Sequence, residues 1–251
     1  MMPLMATIWL FGALGLAAAV TSFLSGILGM AGGMILMGAL LALLPVADAM
    51  VLHGVTQLAA NGWRAWLWRR MIASRVMAGY ALGALAATAA FAAFNIVLSR
   101  PLVLIALGAT PFLLYLLPRQ LELNVDRPGH PFACGLVCMG MQLLSGVSGP
   151  MLDTFFLRSR LDRKSVVATK AATQTLSHAG KIAYFGALTA SPGHVDPWMG
   201  GLMVLCAVAG TTASRQVLER MTDADFRSWT RRVVLTVASF YLASGVWAMT
   251  R

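Results

Sequence analysis

The sequence predicts an all-α fold: a polytopic integral membrane protein of about eight to ten membrane segments, built as two inverted-topology helical repeats with broken or short helices. Three observations predict it. Of 251 residues, 59% are hydrophobic and 11% are charged, with a mean hydropathy of +0.75, whereas a soluble domain carries about 25% charged residues. Apolar runs long enough to cross about 30 Å of hydrocarbon recur from end to end. The second half also repeats the glycine and polar punctuation of the first at a constant offset of 117 residues. Residues 1–251 therefore read as a single transmembrane domain, with repeats at about 4–117 and 131–250 joined by a cytoplasmic loop at 118–130.

Ten apolar segments follow in order, at about 4–28, 31–45, 49–69, 76–98, 101–117, 131–147, 150–160, 165–190, 197–214 and 232–250. The first lacks a basic n-region and reads as a retained helix, not a cleaved leader, despite Ala17, Ala18 and Ala19. The second and seventh are too short to span comfortably. Each follows a break, at Gly26, Gly29, Gly32 and Gly33 in the first case and at Gly146, Gly149 and Pro150 in the second. Glycine and proline interrupt helices, and inside a bilayer a broken helix survives only where its freed backbone faces protein or a polar cavity.

Charge sets the orientation. The 19 Lys and Arg outnumber the 9 Asp and Glu, and they gather in short loops. Arg64, Arg69, Arg70 and Arg75 bracket one, Arg119 and Arg127 lie in the central loop, and Arg158, Arg160, Arg163 and Lys164 occupy another. Arg215, Arg220, Arg227, Arg231 and Arg232 fill the last. The positive-inside rule puts these loops in the cytoplasm and both termini outside. The connection at 186–197, without Lys or Arg, then lies outside, and only Arg100 and Arg251 are stranded there. This distribution explains the net charge of +10 and excludes a nucleic-acid partner. Trp63, Trp66 and Trp68 beside a basic loop read as interfacial anchors. Cys134, Cys138 and Cys206 sit in apolar stretches without zinc-ligand company and read as packing residues, so no metal and no cofactor is expected.

The repeat aligns Gly29 with Gly146, Gly32 with Gly149, Met34 with Met151, and Thr56-Gln57 with Thr173-Gln174. Five segments per half, an odd number, invert the second half relative to the first. The basic loop after residue 69 against the uncharged one after residue 186 agrees.

The candidate site lies on two polar stripes. His53, Gln57, Asn61 and Arg64 stand at i, i+4, i+8 and i+11, one face of a helix. Lys170, Gln174, His178 and Lys181 have the same spacing, and the offset maps one quartet onto the other. Isolated polar residues in membrane helices often serve only as interhelical hydrogen bonds. Two matching stripes of donors and cations without a carboxylate suit an anion instead. Half-helices starting after Gly32-Gly33 and after Gly149 would add positive dipole ends and free N–H groups. The competing reading of these glycines is close helix packing. Asp153 is the one acid well inside an apolar segment; it would pair with Lys181 or His178, or carry a coupling proton, a role also open to His178.

These residues carry a family resemblance. Ser25-Gly26-Ile27-Leu28-Gly29-Met30-Ala31-Gly32-Gly33 resembles the glycine-rich opening of the TauE/SafE sulfite-exporter family. Ser145-Gly146-Val147-Ser148-Gly149-Pro150, Leu161-Asp162-Arg163-Lys164 and Thr173-Gln174 are similar to its second-half motif. The resemblance spans nearly the whole chain. It implies a secondary transporter, often an exporter, of sulfite or an organosulfonate in a bacterial inner membrane. Ala31 and Pro150 depart from the fuller glycine runs of the family. The expected partners are a small anion and the lipid bilayer. Two other classes compete: an intramembrane enzyme acting on a lipid or small anion, for which no catalytic cluster is found, and a non-catalytic assembly or sensor protein, which has no use for paired polar stripes.

Overall fold

The computed structural model describes residues 4–28, 31–116, 122–218 and 223–250; Gly29, Arg119, Arg220 and Arg251 lie outside the described residues. Ten α-helices and no strand occur among them. They are α1 (Leu4–Leu28), α2 (Ala31–Leu43), α3 (Val46–Leu67), α4 (Ser74–Phe94), α5 (Arg100–Leu116), α6 (His130–Ser145), α7 (Gly149–Phe156), α8 (Arg163–Ala183), α9 (Pro197–Leu218) and α10 (Asp223–Met249).

Composition sorts the helices into two groups. Four of them, α1, α4, α9 and α10, contain stretches long and apolar enough to cross a membrane. They turn large apolar side chains outward, such as Trp9, Leu16, Leu82, Leu85, Leu205 and Phe240. In a bilayer such exposure costs nothing, because lipid is as apolar as a neighbouring helix. By contrast, α3 and α8 pack against each other and bury His53, Thr56, Gln57, Thr169, Thr173, Ser177, His178 and Lys181. The polar helices are central and the apolar ones surround them.

The packing has an internal symmetry. α1 lies against α9 as α6 lies against α4, and α3 against α9 as α8 against α4. Likewise α2 meets α10 as α7 meets α5, while the α3–α8 and α5–α10 pairs map onto themselves. Glycine permits the close approaches. A Cβ on Gly135 would lie 2.0 Å from Tyr80 O, one on Gly83 2.0 Å from Phe132 O, and one on Gly210 2.2 Å from Ala19 O. These contacts join α4 to α6 and α9 to α1.

Several boundaries differ from expectation, most of all the start of α10, at Asp223 instead of about 232, and three of them have a local reason. α7 stops at Phe156, short of residue 160, because the following turn is drawn onto the central loop. There Asp126 accepts from Ser159 Oγ (3.1 Å) and Arg160 N (2.6 Å), and Asn124 Nδ2 donates to Arg158 O (3.1 Å). α8 ends at Ala183 in a wider turn, Tyr184–Leu188, whose Tyr184 Oη donates to Ile96 O (2.8 Å) beyond α4. α8 also begins earlier, at Arg163, because Asp162 caps it by accepting from Lys164 N (2.9 Å) and Ser165 N (3.1 Å). The Ser165 hydroxyl, then its backbone N–H, hold the exposed Asp162 carboxyl below the usual aspartate range. Arg100, stranded by the charge rule, donates to Leu44 O (2.9 Å) just past the end of α2.

Candidate anion-binding cavity

α3 and α8 cross with their polar stripes facing, and Gly33 of α2 and the break before α7 meet the same space. The result is a cavity of about 290 Å³. His53, Gln57, Asn61 and Arg64 line it from α3, and Lys170, Gln174 and His178 from α8. Gly33, Ser148, Gly149 and Asp153 contribute from the α2 and α7 side, Gln142 from α6, Ser25 from α1 and Thr230 from α10.

Burial gives the cavity a direction. At one end Asp153 and Lys170 keep 42% and 29% of their side chains exposed. At the other His53 and Gln142 are 0% exposed, Ser148 1% and His178 3%. The cavity opens toward the C-terminal end of α3 and the N-terminal end of α8, where the basic loops lie, and is closed at the opposite end.

Hydrogen bonding at the closed end assigns the imidazole tautomers. His53 Nε2 is 3.0 Å from Gly33 O, an acceptor only, so Nε2 donates. His53 Nδ1 faces Lys181 Nζ at 2.7 Å, and the ammonium also donates to Gly146 O at 3.0 Å. Both nitrogens of His53 are thus engaged. His178 differs. Gln142 Nε2 donates to its Nδ1 at 2.9 Å, and Ser148 Oγ, donating to Gln142 Oε1 at 3.1 Å, holds the amide in that orientation. The proton of His178 is therefore on Nε2, which lines the cavity and has no hydrogen-bond partner among the described residues.

Further donors stand free. The side-chain nitrogens of Gln57 and Gln174 donate to no described residue; Gln57 Oε1 receives only a long contact from Asn61 Nδ2 at 3.5 Å. Lys170 is ion-paired with Asp153, so Asp153 is matched to a residue other than the expected Lys181 or His178. Arg64 pairs with no carboxylate among the described residues. The lining thus holds two cations, one anion and several unpaired N–H groups. An acceptor-rich anion satisfies such a set, and a cation would not.

Two of the expected site residues do not line the cavity. Lys181 is fully buried behind His53. Gly32 is a packing glycine, since a Cβ there would lie 2.0 Å from Thr21 O on α1. Its neighbour Gly33 faces the cavity, where a Cβ would come within 3.2 Å of Gln57 Nε2.

The TauE family model, described as sulfite exporter TauE/SafE, matches residues 14–242. The chain belongs to the TauE/SafE sulfite exporter family. No curated protein and no solved structure matches it. As a TauE/SafE member the chain is a multi-pass inner-membrane protein and a transporter, not an enzyme.

Gln142 and Ser148 line the cavity of this TauE/SafE protein, and the sequence reading passed over both as cavity residues. A signal existed for both. Gln142 is a strongly polar side chain inside an otherwise apolar segment, and at the repeat offset it matches Ser25, which also lines the cavity. Ser148 stands inside the glycine motif that carries the family resemblance.

Proposed function

We propose that the chain carries a small sulfur oxyanion, sulfite or a small organosulfonate, across the membrane as a secondary transporter of two inverted repeats. The observation that carries this reading is the cavity lining: N–H groups of Gln57, Gln174 and His178 and the Arg64 guanidinium, which have no hydrogen-bond or carboxylate partner, respectively, among the described residues, and one acid already matched by Lys170. The family description agrees with an exported sulfur anion. Gly33 and the short α7 bring helix N-terminal ends to the same cavity, where their dipoles favour negative charge.

The repeats supply the mechanism. With the basic loops in the cytoplasm, the cavity opens inward, and the segment around 189–194 covers its outer end. Ala190 N donates to Asn95 Oδ1 (3.1 Å), Gly193 N to Phe185 O (2.8 Å) and His194 N to Asp48 Oδ1 (2.7 Å), tying that segment to α3, to the cap of α4 and to the turn after α8. Rocking one repeat against the other closes the inner mouth and opens the outer one. The sequence has no Gly-x-x-x-x-Gly-Lys-Ser/Thr motif, so the driving force in this account is an ion gradient, the gradient of the anion itself, or a partner.

Uptake of radiolabelled sulfite by proteoliposomes tests the proposal. Saturable uptake, blocked by excess unlabelled sulfite and not by choline, is expected. Uptake no faster than in protein-free liposomes would remove the anion-carrier reading.

A further inference from the structure

The two stripes end in pairs of basic side chains that are related by the repeat. The offset carries Arg64 onto Lys181 and His53 onto Lys170. At the open end Arg64 and Lys170 line the cavity mouth. At the closed end their counterparts, Lys181 and His53, are both 0% exposed and hydrogen-bonded to each other. Above them Tyr184 and Phe185, in the wider turn that follows α8, are shut off as well, at 0% and 1% exposure.

The partners of Lys181 are unlike those of a structural lysine. Lys170 meets a carboxylate, Asp153. Lys181 meets only neutral acceptors, His53 Nδ1 and Gly146 O, and no carboxylate lies within salt-bridge distance among the described residues. A buried charge without a countercharge is costly, and fold stability alone is better served by an apolar side chain or an ion pair. The bonds to His53 and Gly146 also span both breaks, because His53 donates to Gly33 at the start of α2 and Gly146 caps the end of α6. A movement that parts the first repeat from the second would part Lys181 on α8 from His53 on α3.

We propose that Lys181 and His53 form a second anion station, closed in this state, which opens to the outer face when the repeats exchange conformations. It then takes the place that Arg64 and Lys170 hold here. The anion enters at one basic pair and leaves at the other, and Gln57, Gln174 and His178 receive it in between. This station rests on the anion-carrier reading above. Its ligand is the same oxyanion, recognised by Lys181 Nζ once His53 is parted from it.

The test is a comparison of the two faces. Sulfite KM is measured in right-side-out and inside-out membrane vesicles for the unaltered chain, Lys181→Met and Arg64→Met. Losing a charged donor costs about tenfold or more in affinity. Lys181→Met is expected to raise KM at the outer face at least tenfold more than at the cytoplasmic face, and Arg64→Met to do the reverse. Equal changes at both faces, or none at either, would overturn the second station and leave Lys181 a structural latch. Should Lys181→Met fail to fold, Lys181→Cys in a chain without other cysteines gives the same decision. A membrane-impermeant thiol reagent should reach it only from outside, and sulfite should slow the reaction. Labelling through the cytoplasmic cavity, or no protection by sulfite, would overturn the proposal. Absence of sulfite transport by the unaltered chain would strike the carrier reading itself and is seen before any variant is made.

Discussion

Gln174→Ala isolates one hydrogen bond to the anion. The amide of Gln174 faces the cavity and bonds to no described residue, so its removal deletes a ligand contact without orphaning a partner inside the protein. A hydrogen bond to a charged group is worth about 1.5–3 kcal/mol, and about 1.4 kcal/mol is one decade of affinity. Sulfite binding to the purified protein, followed calorimetrically, should weaken by roughly one to two decades. Thermal stability without ligand should change by no more than about 0.5 kcal/mol, as for substitutions away from structural networks. Gln57→Ala should weaken binding comparably but less cleanly, because Asn61 Nδ2 also leans on Gln57 Oε1 at 3.5 Å. If both amides touch one anion, the double variant departs from additivity by about 0.5 kcal/mol or more. Unchanged affinity in both single variants would refute the site. A loss of affinity matched by an equal loss of stability would show that the amides hold the helices together.

Three further outcomes follow from the same geometry. Asp153→Asn removes the acid at the mouth and leaves Lys170 unmatched, so sulfite should bind about fivefold more tightly, the value of roughly 1 kcal/mol of Coulomb energy in a watery mouth; competition binding checks it. Gly146→Ala places a Cβ at φ 82°, 2.6 Å from Met37 Sδ, and should lower stability by about 1–3 kcal/mol in thermal unfolding. The cap at Asp162 has a folded carboxyl pKa below the usual range, so its contribution is present above the ordinary aspartate pKa and is lost as pH falls through the lowered value. Hydrogen-exchange protection factors at Lys164 and Ser165, taken relative to the intrinsic rate at each pH, should therefore fall in acid, and fall at neutral pH in Asp162→Ala.

Helix number and order were legible because bilayer length and the absence of charge write each segment directly into composition. The two stripes were legible because helical periodicity fixes which residues share a face. Periodicity does not fix depth within the packed structure. Lys181 falls on the right face of α8 yet sits behind His53, and that depends on where α3 crosses. Adjacent glycines show the same limit: Gly32 meets the α1 backbone and Gly33 the cavity, a rotation of about 100° that a glycine motif does not resolve. The partner of Asp153 was missed because α7 is only one short element long, and its direction is set by the loop contacts of Asp126 and Asn124. Gln142 was hidden by its company, since the apolar run around it hides one polar side chain whose partner is 36 residues away.

The central claim is that one anion site is exposed alternately to the two sides of the membrane, and sulfite counterflow tests it most directly. Proteoliposomes loaded with unlabelled sulfite are diluted into a trace of labelled sulfite without any imposed ion gradient. A carrier with an alternating site exchanges the two, so label should accumulate transiently above its external concentration and then decline. Label that rises only to equilibrium, at a rate indifferent to internal sulfite, would mean a continuous pore and would contradict the account.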